Sequence, residues 1–337
     1  MEFRTELAGQ PLEIAAPFDG VVFRRFRGTE DYGAMARLLM ATSRADGGYR
    51  YETAERVAIG YETLHNCDPY EDMIFAEVDG IAVAYSRVFW ENQLDGTRSY
   101  GAFGWLDPEF RTRRIGTAMY EANEARVRSI AATHPDDLPK KIMTYVAAAD
   151  ESGVRLCEKN GFTPDMYLAD MIRPDLENLP DAPMPKGLVV RTPTPDEYRK
   201  VWEADVEAFR DHHGASEPQE SWFDEFLADP NFDPSLWRIA WDGDEVAGGV
   251  RSFIDKEQNE EFGRLRGWTE DISTRRRYRQ RGLARALLCQ SLAALRDAGM
   301  EEAGLSVHTD NPTGAYRLYE SVGFKIERRD IFYTKPM

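Results

Sequence analysis

With 337 residues, 42% of them hydrophobic, the chain exceeds what one hydrophobic core usually serves, and two domains of roughly 150 residues each are expected. The 59 acidic against 42 basic residues leave a formal charge of −17, which repels nucleic-acid phosphates and argues against DNA or RNA as a partner. No apolar run reaches the roughly 18 residues of a membrane span, and the opening MEFRTELAGQ lacks the basic and apolar regions of an export signal, so a cytoplasmic protein without membrane attachment is expected.

In chain order, the first half starts with an apolar strand at 21–26, then an acidic turn and helix-period segments. A hairpin-like pair turns at the EVDG that ends at Gly80, and a further strand leads into FRTRRIG at 110–116 and a long helix. PDLENLPDAPMPKG, residues 174–187, carries four prolines that oppose both helix and central strand, and is expected to be an extended linker. The expected domains are therefore 1–174 and 188–337, with 175–187 between them.

The second half opens with a strand at 188–191 and a Pro-containing turn, then helix-period segments. A hairpin follows, 236–241 and 246–253 about the turn DGDE, and then the strand GWTEDIST at 267–274. The next helix carries Leu283, Leu287, Leu288, Leu292 and Leu295 at spacings of three and four, a stripe that covers a sheet, and ends with Gly299 as its C-cap. A strand at 304–309, a short helix with Pro312 in its first turn and a last strand around 330–334 complete an α/β domain with helices on both faces of a mixed sheet.

The halves are copies. RLCEKNGF at 155–162 matches RLYESVGF at 317–324, FRTRRIG matches YRQRGLA at 278–284, EVDG matches the AWDG that ends at Gly243, and VVFR ending at Arg24 matches LVVR ending at Arg191. The four pairs keep one order and a spacing of about 165 residues, the signature of an internal duplication.

Against the acidic whole, RRRYRQRGLARAL at 275–287 places Arg275, Arg276, Arg277, Arg279 and Arg281 just before Gly282. Where a strand turns into a helix, the first amides have no partner and the helix dipole favours negative charge, so this segment is read as an anion site. Gly282 has no Cβ to keep a phosphate from the backbone, and Ala284 lets the helix pack closely. The pattern is neither a P-loop nor a dinucleotide fingerprint.

Arg279, Gly282 and Ala284, followed by NPTGAYRLYESVGF at 311–324, resemble the GNAT superfamily of acyl-CoA-dependent N-acyltransferases, whose loop reads Gln/Arg-x-x-Gly-x-Gly/Ala. The two-copy layout is similar to tandem GNAT proteins. The resemblance implies two tandem GNAT-like α/β domains, each a mixed, mostly antiparallel sheet flanked by helices. It also implies acetyl-CoA as co-substrate and no metal. Gln280, Arg281, Gly282, Leu283 and Ala284 would hold the pyrophosphate, with Arg277, Arg279 and Arg281 the contacts to phosphate. Asn311 and Tyr316 would also border the cofactor.

Acyl transfer to an amine needs a base, a polarised carbonyl and a proton for the leaving thiolate. By the resemblance, Tyr319 is the general acid, with Tyr316 on the same helix face as the alternative. Glu270, directly or through water, is the favoured base on the strand before the loop. Amides near Ile272 and Thr274 would polarise the thioester and hold the pantetheine arm. His308 is a second candidate base, and Asp211, His212, His213 and Trp222 fall where relatives form the acceptor pocket.

The first copy departs from the pattern. Arg114 stands at the Gly282 position, Cys157 at the Tyr319 position, and AAAD at 147–150 supplies no asparagine. A non-catalytic first domain is expected, the other reading being that Arg114 pairs with phosphate directly. Cys67, Cys157 and Cys289 form no CxxC pair and are expected as reduced, mostly buried thiols. No group of histidines and carboxylates has metal-site spacing. The expected activity is acetyl transfer to a primary amine of a small molecule or peptide in a ternary complex, in a monomer with an internal pseudo-dimer or a homodimer. A non-enzymatic acyl-CoA sensor is the alternative.

Overall fold

The computed structural model describes residues 3–62, 64–309 and 314–337. The chain divides into two compact units, one of Met1–Tyr167 with Asp330–Met337 and one of Leu168–Arg329. The Pro-rich segment 175–187 runs within the second unit, where Leu176 is buried in the core.

The first unit is built from β1 (Val21–Arg24), α1 (Tyr32–Ala45), α2 (Ala54–Glu62), α3 (Pro69–Asp72), β2 (Met73–Val78), β3 (Ile81–Asn92), β4 (Arg98–Leu106), α4 (Ile115–Ala132), β5 (Lys140–Ala147) and α5 (Glu151–Lys159), with β6 (Thr163–Arg173) starting inside it. Asp150 caps α5, its Oδ1 accepting the amides of Ser152 and Gly153 at 3.1 Å, as an acid at a helix N-cap should. Ile115 and Met119 of α4 pack on Phe23, Ile74 and Val83. Met35, Leu38 and Leu39 of α1 cover the opposite face at Phe75 and Tyr85.

The second unit repeats the plan with β7 (Val189–Arg191), α6 (Tyr198–Phe209), α7 (Ser221–Ala228), β8 (Arg238–Asp242), β9 (Glu245–Phe253), an added α8 (Lys256–Phe262), β10 (Arg266–Thr274), α9 (Leu283–Asp297), β11 (Glu302–His308) and α10 (Ala315–Ser321), before β12 (Lys325–Pro336). The leucine stripe of α9 lies where its period places it, with Leu288, Leu292 and Leu295 against Ala303, Leu305 and Val307. Each such buried leucine contributes roughly 1.5–3 kcal/mol. Val201 and Ala204 of α6 close the other face on Ile239 and Trp241.

The strand order is β1-β2-β3-β4-β5-β12 in the first unit and β6-β11-β10-β9-β8-β7 in the second. Among the described residues the neighbours within each unit pair antiparallel, except β4 with β5 and β10 with β11, which are parallel. The closing strands are drawn from the other copy's stretch of sequence. Ala303–His308 pair with β6 residues Leu168–Arg173, and Lys141–Ala147 pair with β12 residues Asp330–Pro336. Among the described residues no helix is long and apolar enough to cross a membrane.

Candidate active site

The site begins where two parallel neighbours stop pairing. Strands β10 and β11 share register only from Arg266–Glu302 to Trp268–Gly304, beyond which β11 follows β6. Just past that point β10 carries a bulge: Glu270 faces Arg251 and Ser273 faces Gly249, so three steps on β10 meet two on β9. Asp271 sits in the bulge with φ 48°, a left-handed conformation that Asp tolerates better than most residues. The local sequence allows it because β9 reads VAGGV. A Cβ on Gly248 would lie 2.5 Å from the Ser273 carbonyl oxygen, so a side chain there would push the bulged strand away.

The bulge places Glu270 at the mouth of the gap. Its Oε1 accepts the Ser306 amide of β11 at 3.1 Å, and the carboxyl lies deep in the protein yet keeps part of its surface open. Burial, reinforced by the charges of Asp271 and Asp170, holds it well above the usual carboxylate range. Asp170 is itself engaged by the Ser306 hydroxyl and by Arg328, each at 2.8 Å. Opposite Glu270, Arg251 reaches Asp205 of α6 at 3.0 Å and Asp271 at 2.6 Å. Asp205 is 5% exposed, and burial, eased by Arg251, pushes it up to about 7.

The arginine segment forms a turn with two left-handed residues, Gln280 at φ 60° and Gly282 at φ 79°. Among the described residues no backbone amide from Gln280 to Arg285 donates to a protein acceptor, and no side chain caps α9. Amides left without a protein acceptor at a helix start are the groups that favour an anion. The arginines mostly brace this turn. Arg279 holds Asp211 at 2.6 Å and the Thr274 and Ala208 carbonyls at 3.1 and 3.0 Å, and Arg276 takes the other Asp211 oxygen. Arg275 pairs with Glu207 at 2.6 Å, and Arg277 with Glu245 and the Tyr278 hydroxyl. Arg281 is exposed, reaches the Lys186 carbonyl at 3.4 Å and lies 5.8 Å from the Tyr278 ring centre, with no acid pairing it among the described residues.

Tyr319 is 6% exposed on α10, and among the described residues its hydroxyl has no hydrogen-bond partner. Burial and the charge of Glu270 raise it, so the phenol stays protonated. Tyr316 instead donates to Glu320 at 2.9 Å. Asn311 and Pro312 lie outside the described residues. Ile272 lies within the bulge and Thr274 follows it on β10. His308 and His212 sit 6.1 Å apart ring to ring, and burial lowers both. Asp211 is committed to its arginines, and Trp222 is half-buried on α7. Among the described residues no cluster of His, Cys, Asp or Glu could hold a metal ion. Sequence reasoning missed the bulge, Arg251 and Asp205; the glycine pair of β9 was the signal for the first.

The first unit keeps the frame but not the bulge or the same side chains. Arg114 takes φ 66° and ψ 3° at the start of α4, the turn that Gly282 makes at φ 79° and ψ 5°, and Arg111 binds Asp46 through both oxygens at 2.7 Å, where Arg279 and Arg276 share the two oxygens of Asp211. Strand β4 pairs with β3 without a break from Asn92–Arg98 to Ala84–Leu106, so there is no bulge. Arg87 faces Phe103 where Arg251 faces Glu270. Cys157, at the Tyr319 position, is buried, and burial pushes its thiol up to about 12.

Comparison with known proteins agrees with this geometry. The acetyltransferase (GNAT) family matches residues 198–324. A mycothiol acetyltransferase of Thermobispora bispora is 31% identical over 236 residues, 68% of this chain and 74% of that one. Its counterpart in Catenulispora acidiphila is 28% identical over 228 residues, 67% and 69% of the two chains. Among solved structures, a GCN5-related N-acetyltransferase from Sphaerobacter thermophilus superposes with a TM-score of 0.71 at 27% identity, covering 95% of this chain and 96% of that one. A tandem GNAT protein from the clavulanic acid biosynthesis pathway shares the fold at TM-score 0.61 and 16% identity, over 94% and 98% of the chains. The chain belongs to the GNAT family of acetyltransferases, with the mixed, mostly antiparallel sheet between helices that its sequence led us to expect.

Proposed function

We propose that the second unit transfers an acetyl group from acetyl-CoA to a primary amine by direct attack within a ternary complex. The observation that carries this reading is a raised carboxyl, Glu270, at a bulged strand end beside a row of unpartnered amides. Coenzyme A fits these residues: its pyrophosphate matches the open amides of 280–285 and the side-chain-free surface of Gly282, and Arg281 is the cation left available to phosphate.

The chemistry follows from the positions. An amine arriving as ammonium must lose a proton before it attacks, and a carboxylate with a raised pKa accepts that proton more readily than an ordinary one. Because the Ser306 amide holds Glu270 on one oxygen, the other can take the proton directly or through a water. Amides freed by the bulge near Ile272 polarise the thioester carbonyl as negative charge develops on its oxygen. When the C–S bond breaks, the neutral Tyr319 phenol protonates the thiolate. The first unit, with phenylalanine and cysteine at the corresponding positions, acts as a non-catalytic partner.

The test is release of free thiol from acetyl-CoA across a panel of amines, and the relatives' name places a mycothiol-related acceptor on that panel. Turnover with at least one amine, abolished in Glu270→Gln, is expected. Tight coenzyme A binding with no turnover on any amine would favour an acyl-CoA sensor.

A further inference from the structure

The same strand position carries an arginine in both units, but only one of them is neutralised. In the second unit Arg251 lies over Phe226 and Trp237, 4.6 and 5.8 Å from their ring centres, and is held by Asp205 and Asp271. In the first, Arg87 lies over Tyr61 and Phe89 at 5.4 and 5.6 Å, and both acids are gone. Without a bulge, β4 has no residue in the place of Asp271. Asp205 precedes Asp211 by six residues, and six before the matching Asp46 stands Met40. Among the described residues no carboxylate pairs with Arg87, whose side-chain hydrogen bond goes to the neutral Tyr61, and its buried Nε, like that of Arg251, has no hydrogen-bond partner.

Burying a guanidinium beside rings gains some cation–π attraction, but a buried donor without a partner is costly. The surroundings offer a way to supply that partner. Beyond Gly101–Met143, β4 and β5 no longer pair, and the mouth of this gap is walled by Phe103 and Tyr145, 5.1 Å apart, with Trp105 at 6.4 Å from Tyr145. All three, like Arg87 and Tyr61, are half-buried and not sealed. Tyr61 is held neutral by burial and can donate a hydrogen bond. Where the second unit has a carboxylate pair and a catalytic acid, the first has flat apolar walls around one uncompensated positive charge.

We infer that the first unit is a binding site for a small planar anion, an aromatic ring bearing a carboxylate or phosphate, whose charge meets Arg87 and whose ring lies among Phe103, Trp105 and Tyr145. The ligand supplies the charge that Asp205 and Asp271 supply in the second unit. This inference is independent of the acetyl-transfer reading.

The experiment is isothermal titration of the full chain with benzoate and with phenyl phosphate, in saturating coenzyme A to block anion sites of the second unit. Benzylamine and inorganic phosphate are the controls. At least one aromatic anion is expected to bind, at least about tenfold more tightly than either control. Phe103→Glu places a carboxylate opposite Arg87 and should weaken that binding by at least about tenfold, with melting temperature and acetyl transfer retained. Arg87→Met should do the same. If it fails to fold, Phe103→Glu decides. No heat with either aromatic anion, equal binding of benzylamine, or unchanged binding in Phe103→Glu would overturn the inference.

Discussion

The two units share a backbone more faithfully than they share a chemistry. Arg114 and Gly282 make the same left-handed turn into their helices, and Arg111–Asp46 repeats Arg279–Asp211. Yet one unit has a bulge with Glu270 beside it and the other has an unbroken ladder with Phe103 in that place. The frame of a duplicated domain thus survives on a few ion pairs and a turn, while the proposed site differs by one extra residue in one strand. That residue frees backbone groups and turns a carboxyl into the gap, which no single side-chain replacement in the first unit could restore.

The sharpest way to break the comparison is Glu270→Gln. Removing the base should lower kcat by about two to three orders of magnitude, measured as thiol release, whereas Cys157→Ala in the first unit should leave turnover essentially unchanged. Tyr319→Phe comes next, with kcat expected to fall about 10- to 100-fold and the KM for acetyl-CoA little changed, because a proton donor is lost and not a binding group. A parallel rise in KM would instead give the phenol a binding role.

Gly282→Arg copies the first unit's loop into the second. It forces a side chain into a φ of 79° at a cost of about 1–2 kcal/mol, and should raise the KM for acetyl-CoA about tenfold with a smaller change in kcat. Its mirror, Arg114→Gly, should relax the strain at φ 66° without affecting turnover. Smallest is the effect of Asp271→Asn. The charge of Asp271 helps raise Glu270, and the base acts only when deprotonated, so the rate climbs with pH through that raised value. Removing the charge should move this rising limb of the pH profile to lower pH. A limb that stays in place would separate Glu270 from the ionisation that governs rate.

Much of this was legible because it is local. The α9 leucine stripe, the hairpin about Gly243 and the helix start at Gly282 depend on neighbours in sequence, and the repeat revealed the second copy of each. Three features were not legible for physical reasons. The bulge is a mismatch between two strands and shows only when β9 and β10 are laid side by side, though Gly248 and Gly249 hinted at it. The arginines look like phosphate ligands in sequence, yet the partners of Arg275, Arg276, Arg277 and Arg279 stand on distant elements, from Glu207 to Glu245. Asp205, on α6, gave no sign of being buried, since its partner Arg251 lies on the distant strand β9.

The provenance of the closing strands has a consequence for how the chain comes into being. The second unit is one continuous stretch, Leu168–Arg329, whereas the first cannot be finished without Asp330–Met337. On a ribosome the second unit therefore has all its parts before the first, translated ahead of it, does. Losing the last eight residues should therefore injure the first unit, at the beginning of the sequence, more than the second.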